Sequence, residues 1–217
     1  MVVGSFTSSR LAEMAPVVPM RQSWTMKVEL VNEIHGGLPP DDDHPYRTGV
    51  WRPQYREYDA WDLDVEGVIP DDLAGTYLRN TEQAVFEPIR RYHPFDGDAM
   101  VHSISFEDGA ARYANRFVRT AGFVAEQEAG RSLWAGITEH PSNAVAGHGW
   151  GARSMMKDNA STDVVVHRGE VLASFYQCGE LHRLDPHTLE TKGVSRWDDW
   201  YPAEGVSAHK RVDEHTG

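Results

Sequence analysis

The residues of this chain that could do chemistry are mostly histidines and carboxylates, and their spacing limits what they can do. His182 and His187 stand five apart on either side of an Asp-Pro turn in LHRLDPH, so they do not share a helical face and make a poor zinc pair. Asp41–His44 (DDDH) reads as a solvated acidic loop rather than a cation cluster. Asp96-Gly97-Asp98 offers two carboxylates around a glycine free to take positive φ, which suits the capping of a turn. The further ligands of an EF-hand are absent from its spacing, so it is not read as a calcium loop. Cys178 has no CxxC partner, and no glycine-rich phosphate loop or nucleophile elbow occurs. His209, in VSAHKRVDEHTG, is on its own residues a strand histidine with no special role.

The elements that must position these residues read as hairpins. In AWDLDVEGVIPDDLAGTYLRN, Trp61, Leu63 and Val65 alternate with acids, which predicts a half-buried strand turned by PDDLAG into a second strand from Thr76. Met100, His102, Ile104 and Phe106 fall on one face of the next strand; Glu107–Gly109 is a hairpin turn and Ala111–Val118 the return strand. TDVVVHRGEVLASFYQ repeats the plan with HRGE as its turn. ELHRLDPHTLETKG predicts a short strand and an Asp-Pro turn, and EGVSAHKRVDEHTG a strand running into a turn. Residues 122–160 break the pattern and read as a helix and a long glycine-rich loop. Residues 1–56 read as a leader followed by irregular loop, and 57–217 as the β domain. Short strands with frequent turns place the fold class as all-β: sandwich, barrel or propeller, with hairpin spacing that fits propeller blades.

Composition narrows the function classes. Lys plus Arg is 21 against 33 Asp plus Glu, a net charge of −12, which argues against nucleic acid and against electrostatic docking on anionic lipid. A single cysteine allows no internal disulfide, so a reducing cytoplasm is the expected location. The first residues lack the basic and apolar regions of a signal peptide.

Four segments, IPDDLAGTYLRN, YHPFDGDAMVHSISFEDGAARYANRFVRT, LHRLDPHTLETKG and VSAHKRVDEHTG, occur in this order. Together they resemble the carotenoid cleavage oxygenase family, which includes the lignostilbene dioxygenases, over about residues 60 to 217. The resemblance implies the N-terminal portion of a seven-bladed β-propeller. It implies one Fe(II) held by four histidines, and O2-dependent cleavage of a C=C bond in an apolar polyene or stilbene-like substrate to two carbonyl products. A retinoid isomerohydrolase-like relative and a non-catalytic propeller used as a binding module are the alternatives.

Carried over residue by residue, the resemblance puts the first iron histidine at His209, with Lys210 where the family has proline. It puts Gln177 at the position of a glutamate that orients a ligand imidazole; its amide oxygen can still accept from an imidazole N–H but adds no charge. Glu180 is the less favoured occupant of that role. Asp96, Gly97 and Asp98 match the family's FDGDGM(V/I)H signature, with Ala99 in place of glycine, and are structural; His102 is a packed histidine rather than a ligand. The other three iron ligands are expected downstream of Gly217, so the chain reads as the first part of a longer enzyme, inactive by itself. Residues from Phe123 to Met156, Trp134 and Trp150 among them, are expected at the rim of the substrate cap, with peripheral membrane contact in the complete protein.

Overall fold

Two antiparallel sheets stack on one another and carry the candidate residues at their ends. The computed structural model describes residues 25–177, 179–200, 205–213 and 215–216. Most of the expected leader, and Cys178, lie outside the described residues. Among the described residues the strands are β1 (Lys27–Glu33), β2 (Arg56–Trp61), β3 (Gly75–Gln83), β4 (Asp98–Glu107), β5 (Ala110–Phe117), β6 (Asp163–His167), β7 (Glu170–Ser174), β8 (Leu181–Leu184) and β9 (Thr191–Ser195), with one α-helix, α1 (Ala121–Ala129). The first sheet has the order β1-β2-β5-β4-β3 and the second β6-β7-β8-β9.

The two tight hairpins form where turn chemistry demands them. Between β4 and β5, Asp108 and Gly109 have φ of 50° and 72°; between β6 and β7, Arg168 and Gly169 have 48° and 77°. Two consecutive positive φ values match the right-handed twist of the flanking strands. Glu107 then pairs with Ala110, and His167 with Glu170. Alternation along β4 sends Ala99 and Val101 toward the second sheet. There they pack with Ala114, Val118, Ala160, Val171, Ala173, Leu184 and Leu189. Met100, on the other face, packs with Phe117, Val85, Phe86 and Phe123 of α1. Thr120 caps α1 by accepting from the Phe123 N–H at 3.0 Å, and Gly130 ends it in the left-handed conformation.

Three expectations are corrected. β2 stops at Trp61, because Asp62 takes φ 54° and turns the chain, so Leu63 and Val65 are not in a strand. β1 lies inside the stretch expected to be leader and loop; it pairs with β2 along the sheet edge, its alternation blurred by exposure on both faces. The segment carrying His209 is not a strand. It makes a single antiparallel bridge, Val206 with Gly179, and His209 itself has φ 63°.

Candidate functional site

Gln177 sits in a turn just after β7, half-buried, next to Tyr176. Two contacts tie this turn to the His209 segment, and a third ties that segment to β6 and β7. Gly179 and Val206 exchange both backbone hydrogen bonds, at 3.2 and 2.9 Å. The Ser207 hydroxyl donates to the Tyr176 carbonyl at 3.3 Å. Lys210 donates its backbone N–H to Asp163 at 3.0 Å, and its ammonium reaches Ser174 and Asp163. Lysine in place of proline therefore has a local reason, since proline has no N–H to give Asp163. Burial lowers the Lys210 pKa, and Asp163 partly offsets that. The glycine-rich loop also closes on this turn: a Cβ on Gly151 would stand 2.7 Å from the Gln177 carbonyl oxygen. His209 is exposed, and its imidazole is presented to solvent from the segment so anchored.

The anchor beneath is Asp158, 0 % exposed. Its carboxylate accepts from the Glu180 N–H at 2.7 Å, the Ala160 N–H at 3.1 Å and the His182 Nε2 at 3.0 Å. A carboxylate only accepts, so the His182 proton resides on Nε2. Gly179 is pressed against the same carboxylate; a Cβ there would lie 2.5 Å from its carbon. Asp158 thus fixes the chain on the far side of Gln177. Sequence reasoning missed it, because it lies in the stretch read as an irregular insertion. Glu180 points toward Arg196, at 3.4 Å.

The Asp-Gly-Asp motif divides its two carboxylates between different tasks. Asp96 accepts from the His93 and Ile137 N–H groups at 3.0 and 2.7 Å, closing a short 3-10 turn. Gly97 is held against β3 with φ −70°, where a Cβ would stand 2.7 Å from the Gln83 nitrogen; close packing rather than positive φ requires glycine here. Asp98 is buried and meets the Lys157 ammonium at 2.7 Å, which also meets Glu126 of α1 at 2.5 Å. Burial alone would lower the Lys157 pKa, but Asp98 and Glu126 together hold it above its ordinary value. One ammonium does not neutralise two carboxylates: burial pushes Asp98 up to about 6, against the pull of Lys157. Phe95 meets the Tyr176 ring edge-on at 5.8 Å, joining this motif to the Gln177 turn.

His102 bridges Thr81 at 2.9 Å and Tyr113 at 2.7 Å, a packed and satisfied imidazole. Trp134 is buried and donates to the His148 carbonyl at 2.7 Å, so it belongs to the packed interior rather than to a rim. Trp150 lies half-buried beside it, the rings 6.1 Å apart. Among the described residues no three of His, Cys, Asp or Glu are grouped so as to hold a metal ion, and no helix is long and apolar enough to cross a membrane.

Residues 51–217 match the family model for the retinal pigment epithelial membrane protein. The chain belongs to that family. Isoeugenol monooxygenase of Pseudomonas nitroreducens is 35 % identical over 174 residues, which cover 80 % of this chain and 35 % of the relative. Apocarotenoid-15,15'-oxygenase of Synechocystis is 38 % identical over 174 residues, 75 % of this chain and 34 % of the relative. The crystal structure of Pseudomonas brassicacearum lignostilbene dioxygenase superposes with a TM-score of 0.61 at 27 % identity, covering 75 % of this chain and 33 % of that one. The chain thus spans about a third of the length of the family members it matches. These relatives are oxygenases.

Proposed function

We propose that this chain is the part of a non-haem Fe(II) oxygenase that supplies its first blades and one iron ligand. The substrate class is a carotenoid, apocarotenoid or stilbene-like alkene, cleaved with O2 to two carbonyl products. The observation that carries the reading is the match over residues 51–217 to one family, with relatives named as oxygenases. Residues 57–217 are proposed as the opening blades of a seven-bladed propeller, with the remaining blades and ligands in the rest of a longer polypeptide.

The described residues do not by themselves fit an iron ion. His209 is one imidazole, exposed, with no grouped His or carboxylate partners among the described residues. An iron site therefore needs further imidazoles from outside these residues, and no catalytic step is derived through it. What this chain contributes is the anchored segment. The Gly179–Val206 bridge and the Lys210–Asp163 contact hold His209 at a fixed place beside the Gln177 turn.

The test uses the full polypeptide, with iron content and product formation under O2 measured together. His209→Ala is expected to lose iron and activity. Gln177→Glu is expected to hold iron at least as tightly, and Gln177→Leu to lose about 10–100-fold in affinity or turnover. Retained iron and activity in His209→Ala would end the assignment of that ligand. An alkene left uncleaved by an iron-loaded protein would end the cleavage reading in favour of the binding module.

A further inference from the structure

A cleft of about 520 Å³ opens between the loop of His44–Arg47 and the turn from Glu87 to Tyr92, with Thr138 at its edge. That volume lies in the range of small-molecule sites, about 300–1,000 Å³. Its charge is unlike that of the chain as a whole, which carries −12. Arg47, Arg90 and Arg91 line it, against one acid, Glu87. Arg47 is already committed: it pairs with Asp42 at 2.8 Å and Glu87 at 3.1 Å, and its guanidinium lies 5.4 Å from the centre of the Tyr92 ring. Arg90 and Arg91 are exposed, and among the described residues neither guanidinium has an ion-pair partner.

These two arginines are not on a loose loop. Both of their backbone N–H groups donate to the same Glu139 oxygen, each at 2.9 Å, which pins the turn and the point from which each side chain departs. Aromatic rings complete the lining: Tyr92, next to the arginines on the same turn, meets His44 of the facing loop edge-on at 5.4 Å and 84°. Burial raises the Tyr92 hydroxyl pKa, so it stays a neutral donor. Guanidinium forks recognise the two oxygens of a carboxylate, and ring walls recognise a flat apolar body. An inorganic anion would use the first feature and leave the second unused.

We infer that the cleft between His44 and Arg91 is a binding site for an aromatic carboxylate, its carboxylate on Arg90 and Arg91 and its ring against Tyr92 and His44. This assignment stands independently of the oxygenase reading.

Benzoate and inorganic phosphate are the probes, titrated at low ionic strength into the full polypeptide that contains residues 1–217, with Tyr92 ring signals followed by NMR. Benzoate is expected to bind saturably and shift those signals. The Arg90→Ala/Arg91→Ala variant, checked to unfold at the parent's midpoint, is expected to bind about tenfold or more weakly. Phosphate is expected to bind several-fold more weakly than benzoate. No saturable benzoate binding, or equal binding by the double variant, overturns the site. Phosphate binding as tight as benzoate overturns its aromatic specificity.

Discussion

At the scale of single residues, His102 shows what burial does to a group that could have been mistaken for a ligand. Its two ring nitrogens are occupied by Thr81 and Tyr113. Burial first, and the Arg79 charge second, lower its pKa to about 4, from about 6.5 in an unfolded chain. The unfolded state therefore takes up a proton that the folded state refuses. The stability contributed by neutral His102 is fully present above about pH 6.5 and is lost as pH falls toward 4. Asp98 acts in the opposite sense: raised to about 6, its contribution is present at low pH and lost as pH rises through that value. The two must be separated by a difference measurement. The unfolding free energy of the parent minus that of His102→Gln is expected to fall between about pH 6.5 and 4 and to be flat above; a difference flat throughout would show that His102 titrates identically in both states. Asp158 gives a second test. Asp158→Ala leaves the Ala160 and Glu180 N–H groups and the His182 Nε2–H without their acceptor, at about 1–3 kcal/mol for each donor left unpaired. Denaturant unfolding is expected to show a loss of more than ~2 kcal/mol, and a loss like that of a surface substitution would mean that water replaces the carboxylate.

At the scale of elements, the hairpins were legible because their signals are local. EDG and HRGE place a glycine at the second of two positive-φ positions, and each turn fixes the register of its strands by itself. A Cβ on Gly169 would meet nothing within 4 Å. The cost of Gly169→Ala is then conformational alone, about 1–2 kcal/mol, read as a lowered midpoint of thermal unfolding with an unchanged spectrum of the folded state. A cost near zero would mean that the turn relaxes out of the left-handed region. What the sequence hid is non-local. β1 is exposed on both faces, so no alternation marks it. The His209 segment has strand composition but finds one bridge, at Gly179, instead of a ladder. Lys157 is one residue in an irregular stretch until Asp98, 59 positions before it, and Glu126, 31 before it, are brought to its ammonium. The site residues divide in the same way: Asp96 caps its own turn and was readable, whereas Asp158 and the partners of Lys210 depend on the fold.

At the scale of the whole molecule, the second sheet covers one face of the first; the other face is covered at one end, where Met100 and Phe117 pack with Phe123 of α1, and is open at its outer strands β1 and β3. Register places Val28, Ala60, Tyr113, Ile104 and Tyr77 in one row across all five strands. Val28 is 52 % exposed and Tyr77 59 %. The opposite face packs on the second sheet through Ala99, Val101 and Ala114. Sheets with an apolar face are buried against another layer in stable β architectures. In the proposed propeller that layer is a further blade in the rest of the polypeptide. The proposal separates two magnitudes. A polar substitution on a surface strand position changes stability by no more than about 0.5 kcal/mol, whereas a charge placed between packed sheets, without a partner, costs several kcal/mol. Val28→Asp and Tyr77→Asp in the full polypeptide are therefore expected to lower its unfolding free energy by more than ~2 kcal/mol each. Glu29→Lys, on the other face of the same strand, is the control and is expected to change it little, since Glu29 is exposed. If all three variants unfold like the parent, the row from Val28 to Tyr77 faces solvent in the complete protein, and the first sheet is an outer layer rather than a blade between neighbours.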